Sequence, residues 1–254
     1  MSPLSARDED LRELMDDADC DPERLRRTLE RFRVVNRLVS GWGAVYRRRI
    51  RPLALARGRI SILDIGCGGG DVLHRIASLA RADGVEVHAV GIDPDPRALA
   101  VARRRVMDDR SGDAPGIVLR RAHSADLVAE LGGSGTSGTP GTSGAPGTGR
   151  FDVVISNHVL HHLDVGALPA FLADSAALSQ GIVLHSDIAR SRTAYAAYAV
   201  GITPLAPGTF LRTDGLRSIR RSWRADELAR RLPPGWRVER PAPFRLLATV
   251  EAAP

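Results

Sequence analysis

The sequence predicts an α/β fold: a doubly wound, seven-stranded, mostly parallel sheet with an antiparallel last strand. Between residues 60 and 185, short apolar runs alternate with amphipathic helical segments, which is typical of a parallel sheet covered on both faces. The last two runs are joined only by a short linker around Pro241-Ala242-Pro243, which leaves no room for a crossover and predicts an antiparallel hairpin. The predicted strands are 60–65, 85–92, 117–122, 151–156, 181–185, 236–239 and 244–251.

The region before the first strand is predicted to be a polar tail followed by a helical cap. Residues 1–20 are acidic and polar, so we expect a disordered tail. Asp21-Pro22-Glu23 is a strong helix start, and apolar residues then recur at three- and four-residue spacing as far as Val39. After a break at Ser40-Gly41, a second helix is predicted over 42–56. The cap, 21–58, is expected to pack on the core or to cover its ligand site.

The core, 59–254, is predicted to contain one loop and one insert besides its helices. The helices are expected over 71–81, 96–107 and 168–178. The low-complexity stretch 132–149 has no apolar anchor and is expected to be a flexible loop. Residues 190–222 are expected to form a substrate lid together with the cap, although aromatic residues are also ordinary core residues. The aromatic residues of this insert and its border are Tyr195, Tyr198, Phe210 and Trp223.

The composition limits the kinds of molecule that the protein is expected to bind. The net charge is +6 and the pI is about 10.4, but all 36 basic residues are arginine, scattered along the chain without interleaved aromatic residues. A basic pI would suggest a nucleic acid; the scattered pattern argues against one.

Cys20 and Cys67 are far apart and are expected to be free thiols. We expect no membrane span, a cytoplasmic protein and no metal site, since no Cys or carboxylate accompanies the histidines at ligand spacing. The oligomeric state stays open.

A glycine-rich turn follows the first strand in Ile62-Leu-Asp-Ile-Gly-Cys-Gly-Gly-Gly-Asp71. Such a turn lets backbone approach a ligand closely. The dinucleotide pattern G-x-G-x-x-G fails because its sixth position is Asp71, whereas Gly66, Gly68 and Gly70 fit G-x-G-x-G. Asp64 would attract the cationic amino-acid end of S-adenosylmethionine and would repel a pyrophosphate. Asp64, Cys67 and the three glycines are therefore candidate cofactor-binding residues, and a nicotinamide oxidoreductase is the weaker alternative.

Further cofactor contacts are expected where the second and third strands end. Asp93 closes VEVHAVGID and could accept both ribose hydroxyls, with Pro94 turning the chain after it. A helix cap is the plainer role for a single Asp in this place. The adenine contact is expected between residues 122 and 126, at Ser124 or Asp126.

The runs ILDIGCGGG, VGIDPDP and FDVVISNHVLHHL together resemble class I S-adenosylmethionine-dependent methyltransferases, over roughly residues 60–185. This resemblance implies the methyltransferase variant of the Rossmann-like fold and a site for the methionine end of the cofactor at Asn157 and His158. The segments VNRLVSGWGAVYRRRI, HSDIARSRTAYAAY and DGLRSIRRSW are similar to those of bacterial small-molecule methyltransferases of phenolic polyketide-lipid and quinone pathways. They imply a phenolic or quinol-type substrate from secondary metabolism.

Histidine is the obvious base for a hydroxyl nucleophile near neutral pH. His158 and His185 are the leading candidates because both follow the predicted ends of strands where open α/β sheets bind ligands. Asp187 could orient His185 if the strand continues, while His161 and His162 have a weaker claim. O-methylation of a phenol or quinol is the leading hypothesis. C-methylation of a quinone ring and a non-catalytic cofactor-binding module are the alternatives.

Overall fold

The computed structural model describes residues 4–108, 116–133 and 149–252. Seven strands lie in these ranges: β1 (Arg59–Ile65), β2 (Glu86–Ile92), β3 (Ile117–Arg120), β4 (Phe151–Asn157), β5 (Ser179–Ile188), β6 (Arg237–Glu239) and β7 (Arg245–Glu251). They form one sheet in the order β3-β2-β1-β4-β5-β7-β6. β7 runs antiparallel to both β5 and β6, and the remaining pairs are parallel. The predicted fold class and terminal hairpin are confirmed.

Strand β5 is longer than the sequence predicts. Its pairing with β7 continues from Ile182↔Glu251 to Ile188↔Arg245, three residues beyond His185, the predicted end of the strand. The antiparallel partner supplies hydrogen bonds for this extension, and a local apolar pattern does not reveal them. As a result, His185 lies within the sheet and the start of β7 lies at the ligand edge.

Helices cover both faces of the sheet. They are α1 (Pro22–Val39), α2 (Trp42–Val45), α3 (Arg51–Arg57), α4 (Asp71–Ala82), α5 (Pro96–Asp108), α6 (Ser124–Gly133), α7 (Ala167–Ala177), α8 (Arg192–Gly201), α9 (Leu211–Arg221) and α10 (Ala225–Ala229). One core cluster joins α2–α4 to one face of the sheet, and a second joins α6, α7 and α10 to the other face. Successive residues of β4, such as Val153 and Val154, belong to different clusters, as expected for a strand buried on both faces.

The predicted cap is helical. The Asp21 carboxylate accepts hydrogen bonds from the amides of Glu23 and Arg24, which fixes the start of α1. The predicted helix over 42–56 consists of α2 and α3 joined by a π-helical turn, Tyr46–Ile50. Helix α1 packs on α5 and α4, next to the glycine-rich turn.

The prediction of a disordered segment over 1–20 is wrong for residues 4–20. The Arg7 guanidinium lies 3.9 Å above the Trp223 ring, and Asp8 pairs with Arg220 at 2.6 Å. Glu13 is buried, just before a short 3-10 helix, Leu14–Asp16. The charged side chains of this segment predicted exposure to solvent. In the structure they contact α9 and the loop after β4. Its composition therefore misled the prediction.

The predicted lid insert, 190–222, consists mainly of α8 and α9, which pack on each other. The loop prediction over 132–149 falls mostly on 134–148, which lie outside the described residues; 132 and 133 end α6. Among the described helices, none combines the length and apolar character needed to cross a membrane.

Candidate active site at the carboxyl edge of the sheet

The glycine-rich turn leads from β1 into α4 with the backbone that the sequence predicts. Gly66, Gly68 and Gly70 all have left-handed φ angles, of 69°, 53° and 70°. A Cβ on Gly66 would lie 2.7 Å from Val159 Cγ2, so the loop after β4 packs directly against the turn. A Cβ on Gly68 would meet no atom within 4 Å, so open space borders the turn at this point.

Three carboxylates converge beneath this turn. Asp64 is buried, and its Oδ1 accepts no hydrogen bond from the described residues. Burial, followed by the charges of Asp71 and Asp93, raises the pKa of Asp64 well above its ordinary value. A positively charged ligand group would relieve this repulsion and would satisfy the unpartnered oxygen.

Asp93 lies where the sequence places the ribose contact. Its Oδ2 accepts a hydrogen bond from the Gly68 amide at 2.8 Å, and its Oδ1 accepts one from the Asp95 amide at 2.9 Å. Each oxygen keeps a second lone pair, so Asp93 can still act as a bidentate acceptor. Pro94, the next residue, is exposed. Cys67 is buried in the glycine-rich turn, and this burial raises the pKa of its thiol.

The two candidates for the adenine contact already have other partners. The Ser124 hydroxyl donates to Asp174 on α7 at 2.7 Å. The Asp126 carboxylate is exposed and accepts from the His123 amide at 2.8 Å, as a helix cap does. Neither arrangement tests an adenine contact, which stays a prediction for both residues.

Asn157 joins the cap to the sheet edge. Its Oδ1 accepts hydrogen bonds from Trp42 Nε1 at 3.0 Å and from Arg245 Nη2 at 2.8 Å. Asn36 of α1 contacts the Asn157 amide and donates to Asp71 Oδ2 at 3.0 Å. The cap therefore reaches both the glycine-rich turn and the end of β4 through polar side chains.

Arg245, at the start of β7, is a functional candidate that the sequence analysis missed. Its guanidinium is buried and donates to His158 Nε2 at 3.0 Å and to Ser186 Oγ at 2.8 Å. Burial lowers the pKa of Arg245 to about 10, and Asp187 partly offsets this. An arginine opening an otherwise apolar strand, FRLLATV, was the available signal.

His158 lies beside Asn157 at this edge, as predicted. It is a non-glycine residue with a left-handed φ of 63°, and its side chain is 28% exposed. Burial of the ring and the Arg245 charge lower the pKa of His158 to about 3. Since a guanidinium only donates, Nε2 carries the lone pair, and Nδ1–H faces Asp187 Oδ1 at 3.7 Å. His158 is therefore neutral.

The prediction that His185 is a base is wrong, because its side chain is fully buried. Its ring packs against Phe171 and stacks on Trp236, and its Nδ1 bonds to Ser156 Oγ at 2.8 Å. Asp187 does not orient it. A residue in this core position does not reach a substrate.

Asp187 orients His161 instead. His161 Nδ1 lies 2.9 Å from Asp187 Oδ1, and its Nε2 lies 3.0 Å from Glu13 Oε1. Burial opposes a charge on His161, but the two carboxylates raise its pKa to about 9. Ligand spacing along the chain does not reveal this partner of His161, because Glu13 is 148 residues away.

The geometry fits one ligand class. The unpartnered carboxylate oxygen of Asp64, the open space at Gly68 and the acceptors of Asp93 suit a ligand with a cationic amino-acid end and a ribose. The sheet order with an antiparallel seventh strand, together with this turn, is the Rossmann-like fold of class I S-adenosylmethionine-dependent methyltransferases.

Comparisons with known proteins agree. Residues 63–179 match the family model of a methyltransferase domain. Residues 63–179 are therefore a methyltransferase domain, and S-adenosylmethionine is the cofactor that such a domain uses. No curated protein matches the sequence.

Solved structures share the fold at low identity. Magnesium protoporphyrin IX methyltransferase from Synechocystis PCC 6803 with bound S-adenosylmethionine is 14% identical, with a TM-score of 0.51 over 93% of this chain and 100% of that one. The plantazolicin methyltransferase BpumL, in complex with S-adenosylhomocysteine, is 13% identical, with a TM-score of 0.51 over 91% and 96%. The methyltransferase domain of bacterial CtHen1-C is 16% identical, with a TM-score of 0.52 over 85% and 98%.

Proposed function

We propose that the protein transfers a methyl group from S-adenosylmethionine to a hydroxyl of a small phenolic or quinol-type molecule. The observation that carries this proposal is the pair formed by His158 and Arg245, one partly exposed and the other buried, beside Asn157 at the carboxyl edge of the sheet. The similarity of three sequence segments to phenol- and quinone-modifying methyltransferases supports the substrate class.

The cofactor, when bound, supplies a methyl group that is already activated at a sulfonium. We propose that Asp64 holds its cationic end, that Asp93 holds the ribose and that Asn157 lines the methionine end. Gly66, Gly68, Gly70, Cys67 and Pro94 would form the wall of the same site, with Ser124 or Asp126 at the adenine. The protein then has to align an acceptor oxygen and to manage its proton.

His158 and Arg245 suit these two tasks. A hydroxyl that competes with Arg245 for the His158 Nε2 lone pair lies close to the guanidinium as well. The negative charge that develops on the oxygen offsets the Arg245 charge, which after burial is the largest of the causes that lower the pKa of His158 in the free protein. The hydroxyl proton can then pass to His158 Nε2, and Arg245 stabilises the oxyanion. Asp187, 3.7 Å from Nδ1, favours the protonated ring. An acceptor that forms a stable oxyanion, such as a phenol, fits this site better than an alkyl alcohol.

We propose that α1 and the α8–α9 insert form the lid. Val35 on α1 packs with Ile202 and Leu211, so the cap and the insert form one apolar layer. Two aromatic residues of the insert are used in this packing, since Phe210 contacts the α1–α5 cluster and the Tyr198 hydroxyl donates to the Leu211 carbonyl at 2.8 Å. Tyr195 borders a surface groove with Arg212 and is the better candidate for contact with substrate.

The test follows labelled methyl groups. The purified full chain is incubated with methyl-labelled S-adenosylmethionine and a panel of phenols and hydroquinones with and without apolar tails. We expect label in the organic phase and an O-methyl product by mass spectrometry and NMR. Ring methylation would replace the proposal with C-methylation. Binding of cofactor without transfer would favour a binding module, and label on added RNA would overturn the small-molecule assignment.

A variant identifies the base. His158→Asn removes the imidazole but keeps a residue type that tolerates a left-handed φ, so the backbone is retained. Loss of a general base predicts a fall in turnover of about 10²- to 10⁴-fold with unchanged cofactor affinity. His88→Gln, on β2 near the amino ends of the strands, is the control and should retain activity. Full turnover of His158→Asn would exclude proton transfer to His158.

A further inference from the structure

A second group of side chains, separate from the cofactor turn, lies where the N-terminal segment meets the loop after β4. Glu13 Oε1 is 3.0 Å from His161 Nε2 and 3.9 Å from His162 Nε2. The two imidazole rings lie side by side, with centroids 4.3 Å apart. Ligand atoms of these three residues all lie within 4.8 Å of one another.

The outer partners of the two histidines are arranged as around a metal. His161 Nδ1 lies 2.9 Å from Asp187 Oδ1, and His162 Nδ1 lies 3.3 Å from Asp16 Oδ2. A carboxylate on Nδ1 keeps the proton there when a metal ion displaces the proton on Nε2, and metal-ligating histidines show this arrangement regularly. The two Nε2 atoms lie 3.0 Å and 3.9 Å from the same Glu13 oxygen. A surface ion pair requires no such convergence of two separately oriented rings.

The spacing and the donor types fit a divalent transition-metal ion. Tetrahedral ligands about 2.0–2.2 Å from an ion are about 3.4 Å from each other, between the two distances that Glu13 makes. Two imidazole nitrogens and one carboxylate oxygen form a donor set that Zn²⁺ accepts. Glu13 and His161 are buried, while His162 is 32% exposed, so an ion could enter from the solvent side and keep a water or ligand there.

We propose that Glu13, His161 and His162 form a three-ligand site for a divalent transition-metal ion of the Zn²⁺ type. Glu13 belongs to the N-terminal segment, whereas His161 and His162 belong to the loop after β4. A bound metal ion would therefore hold the N-terminal segment against the loop that carries His158. This inference does not rest on the proposed methyl acceptor. It replaces the expectation of no metal site, which came from ligand spacing along the chain.

The test uses the untagged full chain after treatment with a chelator. Co²⁺ is the probe because a nitrogen- and oxygen-ligated ion in a low-coordinate site absorbs visible light. We expect one equivalent of Co²⁺ to produce an absorption band that Zn²⁺ displaces. His162→Gln, at a partly exposed position that the fold tolerates, should lower the Co²⁺ affinity by at least about 10-fold. Asp16→Asn should lower it by about 10- to 100-fold, as outer-shell changes do.

A second measurement follows the N-terminal segment itself. Arg12 is exposed next to Glu13, so trypsin cleavage after Arg12 should be slower with Zn²⁺ bound, and this protection should disappear in His162→Gln. His88→Gln is the control and should bind Co²⁺ like the unchanged protein. Absence of binding at stoichiometric Co²⁺, or equal binding by His162→Gln and the control, would show that His161 is only an imidazolium held between two carboxylates and would overturn the proposal.

Discussion

Replacement of Asp64 by asparagine should stabilise the cofactor-free protein and weaken cofactor binding. Asp64 is buried, one of its oxygens has no hydrogen-bond partner among the described residues, and the charges of Asp71 and Asp93 add to the cost of ionising it. Asparagine has a similar shape without the charge. The same substitution removes the carboxylate that we propose attracts the cationic end of the cofactor.

The size of the first effect depends on pH. The pKa of Asp64 is raised in the folded protein, so between its ordinary value of 3.8 and the raised value the folded state keeps a proton that the unfolded state has lost. Stability therefore falls as pH rises through this window, by up to about 1.4 kcal/mol per pH unit, and stays constant above it. In a chain of this length, 1 kcal/mol corresponds to about 2–4 °C in Tm. Asp64→Asn should remove this loss.

The second effect is measured as affinity. A hydrogen bond to a charged group contributes about 1.5–3 kcal/mol, so Asp64→Asn should weaken S-adenosylmethionine binding by roughly 10- to 150-fold. Thermal unfolding across pH, without cofactor, and calorimetric titration measure the two effects. A lower Tm for cofactor-free Asp64→Asn together with unchanged affinity would refute the reasoning.

Asp152→Asn is a matched contrast. Asp152 is also buried, but its carboxylate accepts hydrogen bonds from the Ser61 amide at 2.8 Å and the Gln180 amide at 3.0 Å. Burial opposes its ionisation, yet these bonds lower its pKa. The ionised Asp152 carboxylate therefore stabilises the folded protein above its ordinary pKa, and this contribution is lost as pH falls. Asp152→Asn should destabilise the protein near neutral pH and should leave cofactor affinity unchanged.

Three further predictions use other contacts. Gly68→Ala and Gly84→Ala both place a methyl group in open space at a left-handed φ, so each should cost about 1–2 kcal/mol in unfolding free energy, and only Gly68→Ala should also weaken cofactor binding in a titration. Arg245→Met removes the buried hydrogen bonds to His158, Asn157 and Ser186 and should cost about 3 kcal/mol or more in denaturant unfolding and abolish turnover; unchanged stability would contradict this. Trp42→Phe removes the Nε1 donor to Asn157 and should raise the KM for the cofactor with a fold intact by circular dichroism, whereas an unchanged KM would remove Trp42 from the site.

The sheet and the cofactor turn could be predicted from sequence because their signals are local. Alternating apolar runs specify buried strands, and Gly66, Gly68 and Gly70 lie within five residues of one another with the conformation that G-x-G-x-G requires. Two predictions are wrong, the end of β5 and the disorder of residues 4–20, and both features depend on partners far along the chain. The predicted strand ends at His185 because the residues that extend it are held by hydrogen bonds to β7, which the local pattern does not show. Glu13 falls in the segment predicted to be disordered because its partner follows β4, far along the chain. Periodicity along the chain carries no information on such pairings.

The antiparallel last strand explains why a residue so near the end of the chain belongs to the site. In a parallel strand, only the final residues reach the ligand edge, but β7 runs the other way, so its first residue, Arg245, pairs with Ile188 at that edge. Three strands then each contribute one polar group to a single cluster, Asn157 from β4, Ser186 from β5 and Arg245 from β7. The hairpin that completes the sheet therefore also completes one wall of the candidate site.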